Sequence, residues 1–102
     1  MTLNKCHYDF HLLSEGWLSV PPYDEGAEHP EAPAETAATI RMTEFNKDDK
    51  PDIWYHAEVV TVSTNQSEVS RLIEKYGLPN AIRVNCIAQQ ADLRERLLNR
   101  SN

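Results

Sequence analysis

The N-terminal part of the chain alternates apolar and polar residues with the period of a β-strand. Between Lys5 and Leu13 the apolar side chains fall on one face, and they are Cys6, Tyr8, Phe10 and Leu12. Such alternation is typical of a strand with one buried face. Residues 14–16 are turn formers and residues 17–20 resume an apolar run, so residues 5–20 are predicted to form a hairpin.

Two further apolar runs flank a stretch of turn formers. Residues 36–45 and Ile53–Val62 lie on either side of residues 46–52, which contain no apolar side chain. This arrangement predicts two strands joined by a polar loop. The second run is rich in aromatic and β-branched residues, which predicts the central strand of the sheet. The alternative for the first run is a short helix through residues 34–42, because its alanines permit one.

The clearest local signal is a helix over residues 66–76. Asn65 stands where an N-cap belongs, with Glu68 three positions later, and an apolar stripe with helical spacing follows. Gly77 and Pro79 then end the helix.

The remaining C-terminal residues allow two interpretations. Residues 82–86 alternate as in a short strand, and residues 89–98 predict a final helix. The alternative is one helix through residues 80–98. With the strand, the chain is predicted to be an α+β domain with an antiparallel sheet of four to five strands and two helices on one face, in the order β-β-β-β-α-β-α.

Length and composition then narrow the class of protein. At 102 residues with 40% hydrophobic residues, the chain is predicted to fold as one domain, residues 1–102, around one core. No stretch is long and apolar enough to span a bilayer, and the first residues lack a signal-peptide core, so we expect a cytoplasmic protein that makes no membrane contact. Cys6 and Cys86 lie in apolar patterns, which favours free thiols.

The net charge of −6 is divided unevenly. Residues 1–63 contain twelve acidic and four basic residues, whereas residues 64–102 contain four acidic and six basic residues. Within the acidic part, residues 21–35 hold four prolines, five carboxylates and a single large apolar side chain, Tyr23. This composition predicts an exposed acidic, proline-rich loop. An acidic surface repels nucleic acid and attracts basic protein surfaces.

These features favour a non-catalytic module that binds a protein with a basic surface. Trp54 and Tyr55 are adjacent in a strand and must point to opposite faces, so one ring is expected at the surface as an interface anchor. The hypothesis is an inhibitor or regulator that occupies the nucleic-acid-binding surface of a partner, as phage-encoded anti-defence (anti-CRISPR-like) proteins do. The predicted partner-binding residues are Tyr23, Asp24, Glu25, Glu28, Glu31, Glu35 and Trp54.

A second hypothesis is a DNA-binding regulator. Residues 66–98 resemble a helix-turn-helix in outline, and Arg83 would contact the DNA. The overall acidity and the proline at the turn argue against it. Arg94, Arg96 and Arg100 form a basic helix end, but interleaved carboxylates favour local ion pairs there.

A third hypothesis is a metal site formed by His7, Asp9 and His11. Alternate positions of a strand project all three to one face, and two imidazoles with a carboxylate are a ligand set of zinc and iron sites. The simpler interpretation is the polar face of an amphipathic strand. No Gly-x-Ser-x-Gly elbow and no phosphate-binding glycine loop occurs in the sequence, so we expect neither a catalytic site nor a cofactor.

Overall fold

The computed structural model describes residues 3–47 and 52–98. Within these ranges five strands precede three α-helices, and a short 3-10 helix, Ile87–Gln89, leads into the last of them. The strands are β1 (Leu3–Leu13), β2 (Gly16–Ser19), β3 (Tyr23–Asp24), β4 (Ala38–Lys47) and β5 (Ile53–Val62). The helices are α1 (Gln66–Tyr76), α2 (Asn80–Asn85) and α3 (Gln90–Leu98). The predicted α+β class with an antiparallel sheet is confirmed.

The sheet has the order β2-β1-β4-β5, and all its pairs are antiparallel. The two-residue strand β3 also pairs with β1, beside Cys6 and His7. The long strands β1 and β4 are therefore central. The prediction that β5 is the central strand is wrong, because β5 pairs only with β4 among the described strands. Its aromatic and β-branched residues reflect one buried face, and composition does not determine how many neighbours a strand has.

One face of the sheet packs against the helices. Cross-strand pairs such as Phe10 with Ile40 and Tyr8 with Met42 place the apolar side chains of β1 and β4 on this face. The core they form with the helices includes Leu12, Ile40, Leu72, Ile73, Ile82, Leu93 and Leu97, each at most 1% exposed. Burial of this apolar surface is the main stabilising contribution to the fold.

Helix α1 forms where the sequence predicts it. The Asn65 side chain accepts a hydrogen bond of 3.2 Å from the backbone N–H of Glu68, which caps the first turn. At the other end Gly77 has φ of +68°, a conformation that side chains with a Cβ rarely adopt, and its N–H bonds to the carbonyl of Ile73.

The strand predicted over residues 82–86 is wrong, because residues 82–85 belong to α2 and Cys86 caps the end of that helix. Ile82 and Cys86 are buried four residues apart on one side of the segment, while Val84 between them is 60% exposed. The apparent period of two came from Val84, whose side chain faces solvent. The alternative of one helix through residues 80–98 is also wrong, since Cys86 has φ of −127° and separates α2 from the following 3-10 helix.

Candidate partner-binding surface

The second face of the sheet, opposite the helices, is built from polar and aromatic side chains in register. Three strands contribute to each cross-strand row. The rows are Lys5, Phe45 and Trp54; His7, Thr43 and His56; Asp9, Arg41 and Glu58; and His11, Thr39 and Thr61. Asp9 and His11 on β1 are buried, at 1% and 2% exposure, whereas His56 and Glu58 on β5 are exposed.

The loop that follows β2 is attached to this face through a cluster around the Asp9 carboxylate. Arg41 donates from Nε to Oδ1 at 2.9 Å and from Nη2 to Oδ2 at 3.3 Å. The hydroxyl of Tyr23 lies 3.0 and 2.9 Å from the same two oxygens. Both carboxylate oxygens therefore have donors, which satisfies a charge buried beneath the loop. We call Asp9, Arg41 and Tyr23 the latch.

Aromatic contacts extend the latch. The Tyr23 ring lies 5.3 Å from the ring of His7, and the guanidinium carbon of Arg41 lies 6.0 Å from the Tyr23 centroid. His29 Nδ1 is 3.3 Å from the Tyr23 hydroxyl. Burial and the hydrogen bond to Asp9 raise the pKa of Tyr23, so its hydroxyl keeps the proton that it shares with the carboxylate.

His11 lies in the next row and is enclosed. Its Nδ1 is 2.9 Å from Oγ1 of Thr39, while Nε2 has no hydrogen-bond partner among the described residues. Burial lowers the pKa of His11 below its usual value; the negative charge of Asp9 opposes this shift, and the positive charge of Arg41 adds to it. This imidazole is therefore neutral at pH 7.

Backbone hydrogen bonds fix both ends of the loop to β1. The N–H of Val20 donates to Asp9 O at 3.2 Å and that of Glu25 donates to Lys5 O at 3.2 Å. At the far end the N–H of Ala37 donates to Leu12 O at 2.8 Å. The segment predicted as an exposed loop over residues 21–35 is thus a strap that starts and finishes on the same strand.

All five carboxylates of the strap point to solvent. Asp24, Glu25, Glu28, Glu31 and Glu35 are each exposed. Glu25 lies 3.5 Å from Nζ of Lys5, and the other four make no salt bridge with a residue in the described ranges. The strap therefore carries a negative charge that neighbouring bases neutralise only in part.

Trp54 is the exposed member of the Trp54–Tyr55 pair, as predicted. It is 46% exposed, whereas Tyr55 packs on the core. Its row also contains Phe45 and Lys5, whose ammonium lies 5.6 Å from the Phe45 centroid. Trp54 lies on the same face as the latch, two strands or roughly 10 Å from β1. The Trp54 side chain and the part of the strap held by Tyr23 and Glu25 consequently lie on one face.

Tyr23 is placed differently from the other predicted binding residues. It is half-buried and its hydroxyl contacts Asp9, so it holds the strap on the sheet, whereas Trp54 is an exposed aromatic side chain of this face. The residues that the sequence interpretation missed are Arg41, Thr39 and His29. Arg41 is the base between Ile40 and Met42 in β4, and aligning β4 antiparallel to β1 places it opposite Asp9.

The metal hypothesis placed His7, Asp9 and His11 correctly on one face. Asp9, however, contacts Arg41 and Tyr23, and His7 Nδ1 is 3.0 Å from Thr43 Oγ1. Within residues 3–47 and 52–98, no group of three His, Cys, Asp or Glu residues is placed to hold a metal ion. Within the latch, Arg41 supplies a positive charge beside the Asp9 carboxylate, and Arg41 and Tyr23 supply its hydrogen-bond donors.

The segment considered for DNA binding, residues 66–98, contains α1, a short turn, the six-residue α2, the 3-10 helix and α3. Arg83 is exposed on α2 beside Val84 and Asn85, so the accessible side of this short helix carries one positive charge. On α3, Arg96 pairs with Asp92 at 3.1 Å, which confirms the expected local ion pair. Arg100 lies outside the described residues.

Cys6 and Cys86 are both free thiols, as the sequence predicts. None of the described helices has the length and apolar character that crossing a membrane requires. Comparison with known proteins found no match, whether to a protein family, to a curated protein or to a solved structure.

Proposed function

We propose that this protein is a non-catalytic binding module that occupies a basic surface of a partner protein in the cytoplasm. The observation that carries the proposal is the strap, which presents five exposed carboxylates on a backbone held by the latch. A concrete version is an inhibitor of a nucleic-acid-binding complex, comparable to anti-CRISPR-like proteins of phages, whose carboxylates take the place of phosphates.

Pre-ordering of the strap supports this proposal. A disordered acidic segment would pay conformational entropy on binding, of about 1–2 kcal/mol for each residue fixed. Here the latch and the backbone hydrogen bonds of Val20, Glu25 and Ala37 order the strap when the protein folds. The conformational entropy is therefore lost on folding and not on binding. Carboxylates on a fixed backbone can match the positions of bases on a partner, which gives specificity as well as attraction.

The exposed part of the second face supplies a contact of a different kind. Trp54 is partly buried already, and tryptophan is enriched among the residues that dominate binding energies at interfaces. With Glu58 and the strap residue Glu25 on the same face, the surface combines an apolar anchor with negative charge. This combination suits a basic protein surface.

The test is a pull-down from the source cell's lysate with two proteins, the wild type and a variant in which all five strap carboxylates are amides. The variant contains Asp24→Asn, Glu25→Gln, Glu28→Gln, Glu31→Gln and Glu35→Gln. We expect the wild type to retain a basic protein in a salt-sensitive manner and the variant to lose it. Isothermal titration with the purified partner then measures the loss.

A matched pair of triple variants separates position from net charge. Glu28, Glu31 and Glu35 are changed to Gln in one, and the exposed Glu15, Glu74 and Glu95 are changed to Gln in the other. Both lose three charges, and we expect only the first to weaken binding by more than about tenfold. Equal affinities of the two variants, or recovery of nucleic acid in place of a protein, would contradict the proposal.

A further inference from the structure

A cleft of about 400 Å³ lies on the helix-facing side of the sheet, where β1, β4 and β5 pass beside α2. Tyr8, Met42 and Tyr55 line it from the strands, and Pro22 and Asn85 line it from the sides. The cleft is therefore on the opposite side of the sheet from the latch. It is largely aromatic and apolar, as ligand-binding clefts commonly are.

Among the described residues that line this cleft, Glu44 alone carries a formal charge. Glu44 is half-buried on β4, opposite Tyr55 on β5. Its Oε1 accepts a hydrogen bond of 2.8 Å from the Tyr8 hydroxyl, and it makes no salt bridge with any residue that the structure describes. A partly buried carboxylate without a neighbouring cation leaves the cleft with an uncompensated negative charge, so the cleft is complementary to a positive charge.

The Glu44 carboxylate raises the pKa of both tyrosines that line the cleft. The hydrogen bond from its hydroxyl to Glu44 raises the pKa of Tyr8, and burial adds to that effect. Burial raises the pKa of Tyr55, and the negative charge of Glu44 acts in the same direction. Their electron-rich faces add to the attraction for a cation, because aromatic rings bind ammonium and guanidinium groups.

We propose that the cleft receives the cationic side chain, arginine or lysine, of a polypeptide partner. The side chain's apolar stem would pack on Met42 and Pro22, and its charged end would lie between the tyrosine rings at Glu44. A polypeptide is favoured over a small free cation because of Val84 on α2, the helix that forms one wall of the cleft. Val84 is an apolar side chain that is 60% exposed, and a polypeptide, unlike a small cation, can cover it. Pro22 is the one strap residue that lines the cleft among the described residues, none of the five strap carboxylates does, and the proposal does not depend on the function proposed for those carboxylates.

Two peptides test the site by NMR titration of the isotope-labelled protein, namely acetyl-Gly-Arg-Gly-amide and its citrulline counterpart. Citrulline has almost the same shape as arginine but no charge. We expect the arginine peptide to shift resonances of Tyr8, Met42 and Tyr55 and to bind at least about tenfold more tightly than the citrulline peptide. Equal binding of both peptides, or shifts confined to the strap, would overturn the inference.

Variants make the test specific to Glu44. Glu44→Gln keeps an acceptor for Tyr8 but removes the charge, and we expect binding of the arginine peptide to weaken about tenfold. Glu74→Gln, which removes an exposed charge from α1, is the matched control and is expected to bind like the wild type. Equal effects of the two substitutions would contradict a specific site.

Two further titrations distinguish binding in the cleft from binding at the strap and from a site for small free cations. The five-amide strap variant should bind the arginine peptide as the wild type does, and loss of binding there would assign the effect to the strap. Methylguanidinium should bind more weakly than the peptide. Affinity equal to that of the peptide would overturn the assignment to a polypeptide side chain.

Discussion

The two faces of the sheet are covered in contrasting ways. The first face is covered by helices whose apolar side chains pack on β1, β4 and β5. The second face is covered on the β1 side by a strap that contributes hydrogen bonds and one aromatic ring, centred on Asp9. Apolar packing is spread over many contacts, whereas the strap depends on a few directed ones.

This difference implies that the helix-packed face determines the stability of the domain, whereas the latch determines whether the strap is held in place. Loss of one contact on the helix side should lower the free energy of unfolding of the whole domain. Loss of one contact in the latch should release the strap and leave the helices in place, because local opening needs less free energy than global unfolding. Substitutions on each face can test that division.

The largest effect is expected from Leu72→Ala on the helix side. Leu72 is 1% exposed, and a buried Leu to Ala change costs about 3 kcal/mol through lost burial and the cavity that remains. Urea denaturation should show this loss, and Val84→Ala at an exposed position serves as the control, with a change under about 0.5 kcal/mol. Equal effects at the two positions would contradict the core described here.

Asp9→Asn should come next, with a loss of about 2 kcal/mol. It leaves Arg41 without its anion, and because the Arg41 side chain is 18% exposed, water offsets part of the cost. We expect strap amides to exchange hydrogen faster while α1 amides respond only to the change in global stability. Unchanged exchange in the strap would show that the latch does not hold it.

The neutral His11 should make stability depend on pH by about 1 kcal/mol between pH 7 and pH 5. Its pKa in the folded state is lowered, so below about pH 6.5 the unfolded chain takes up a proton that the folded protein does not. Stability therefore falls as pH drops through this range. Denaturation of His11→Phe across the range should show a shallower fall, and His56→Gln, at an exposed histidine, is the control. A slope unchanged in His11→Phe would contradict the assignment.

The smallest change in stability is expected from Trp54→Ala, about 1 kcal/mol, because only about half of this side chain is covered in the folded protein. Affinity for a captured partner should nevertheless fall by about tenfold, since exposed tryptophans anchor interfaces. Titration of wild type and variant measures this. Full affinity in the variant would remove Trp54 from the binding surface.

Sequence patterns predicted the helix-packed face better than the strap. The alternation in β1 and the stripe of α1 are local signals, and the structure confirms both. The strand predicted over residues 82–86 is wrong because the prediction depended on Val84, which is apolar but exposed. Periodicity alone does not distinguish an exposed apolar residue from a buried one.

The composition of residues 21–35 predicted that the strap is exposed but did not predict that it is attached to the sheet. Its order depends on Asp9, Tyr23 and Arg41, which are separated in sequence and meet only when β4 pairs with β1 and the strap folds back. The exposed carboxylates could thus be predicted from composition, whereas the buried carboxylate that positions them required the fold.

The most direct test of an ordered acidic strap is hydrogen exchange at the Glu25 amide, measured by NMR in the wild type and in Tyr23→Phe. This amide donates to Lys5 O within the strap, and Tyr23→Phe removes only the hydroxyl that bonds to Asp9. We expect a protected amide in the wild type and exchange faster by about tenfold or more in the variant, with α1 amides unchanged. An amide that already exchanges at the rate of a free peptide in the wild type would contradict the ordered strap.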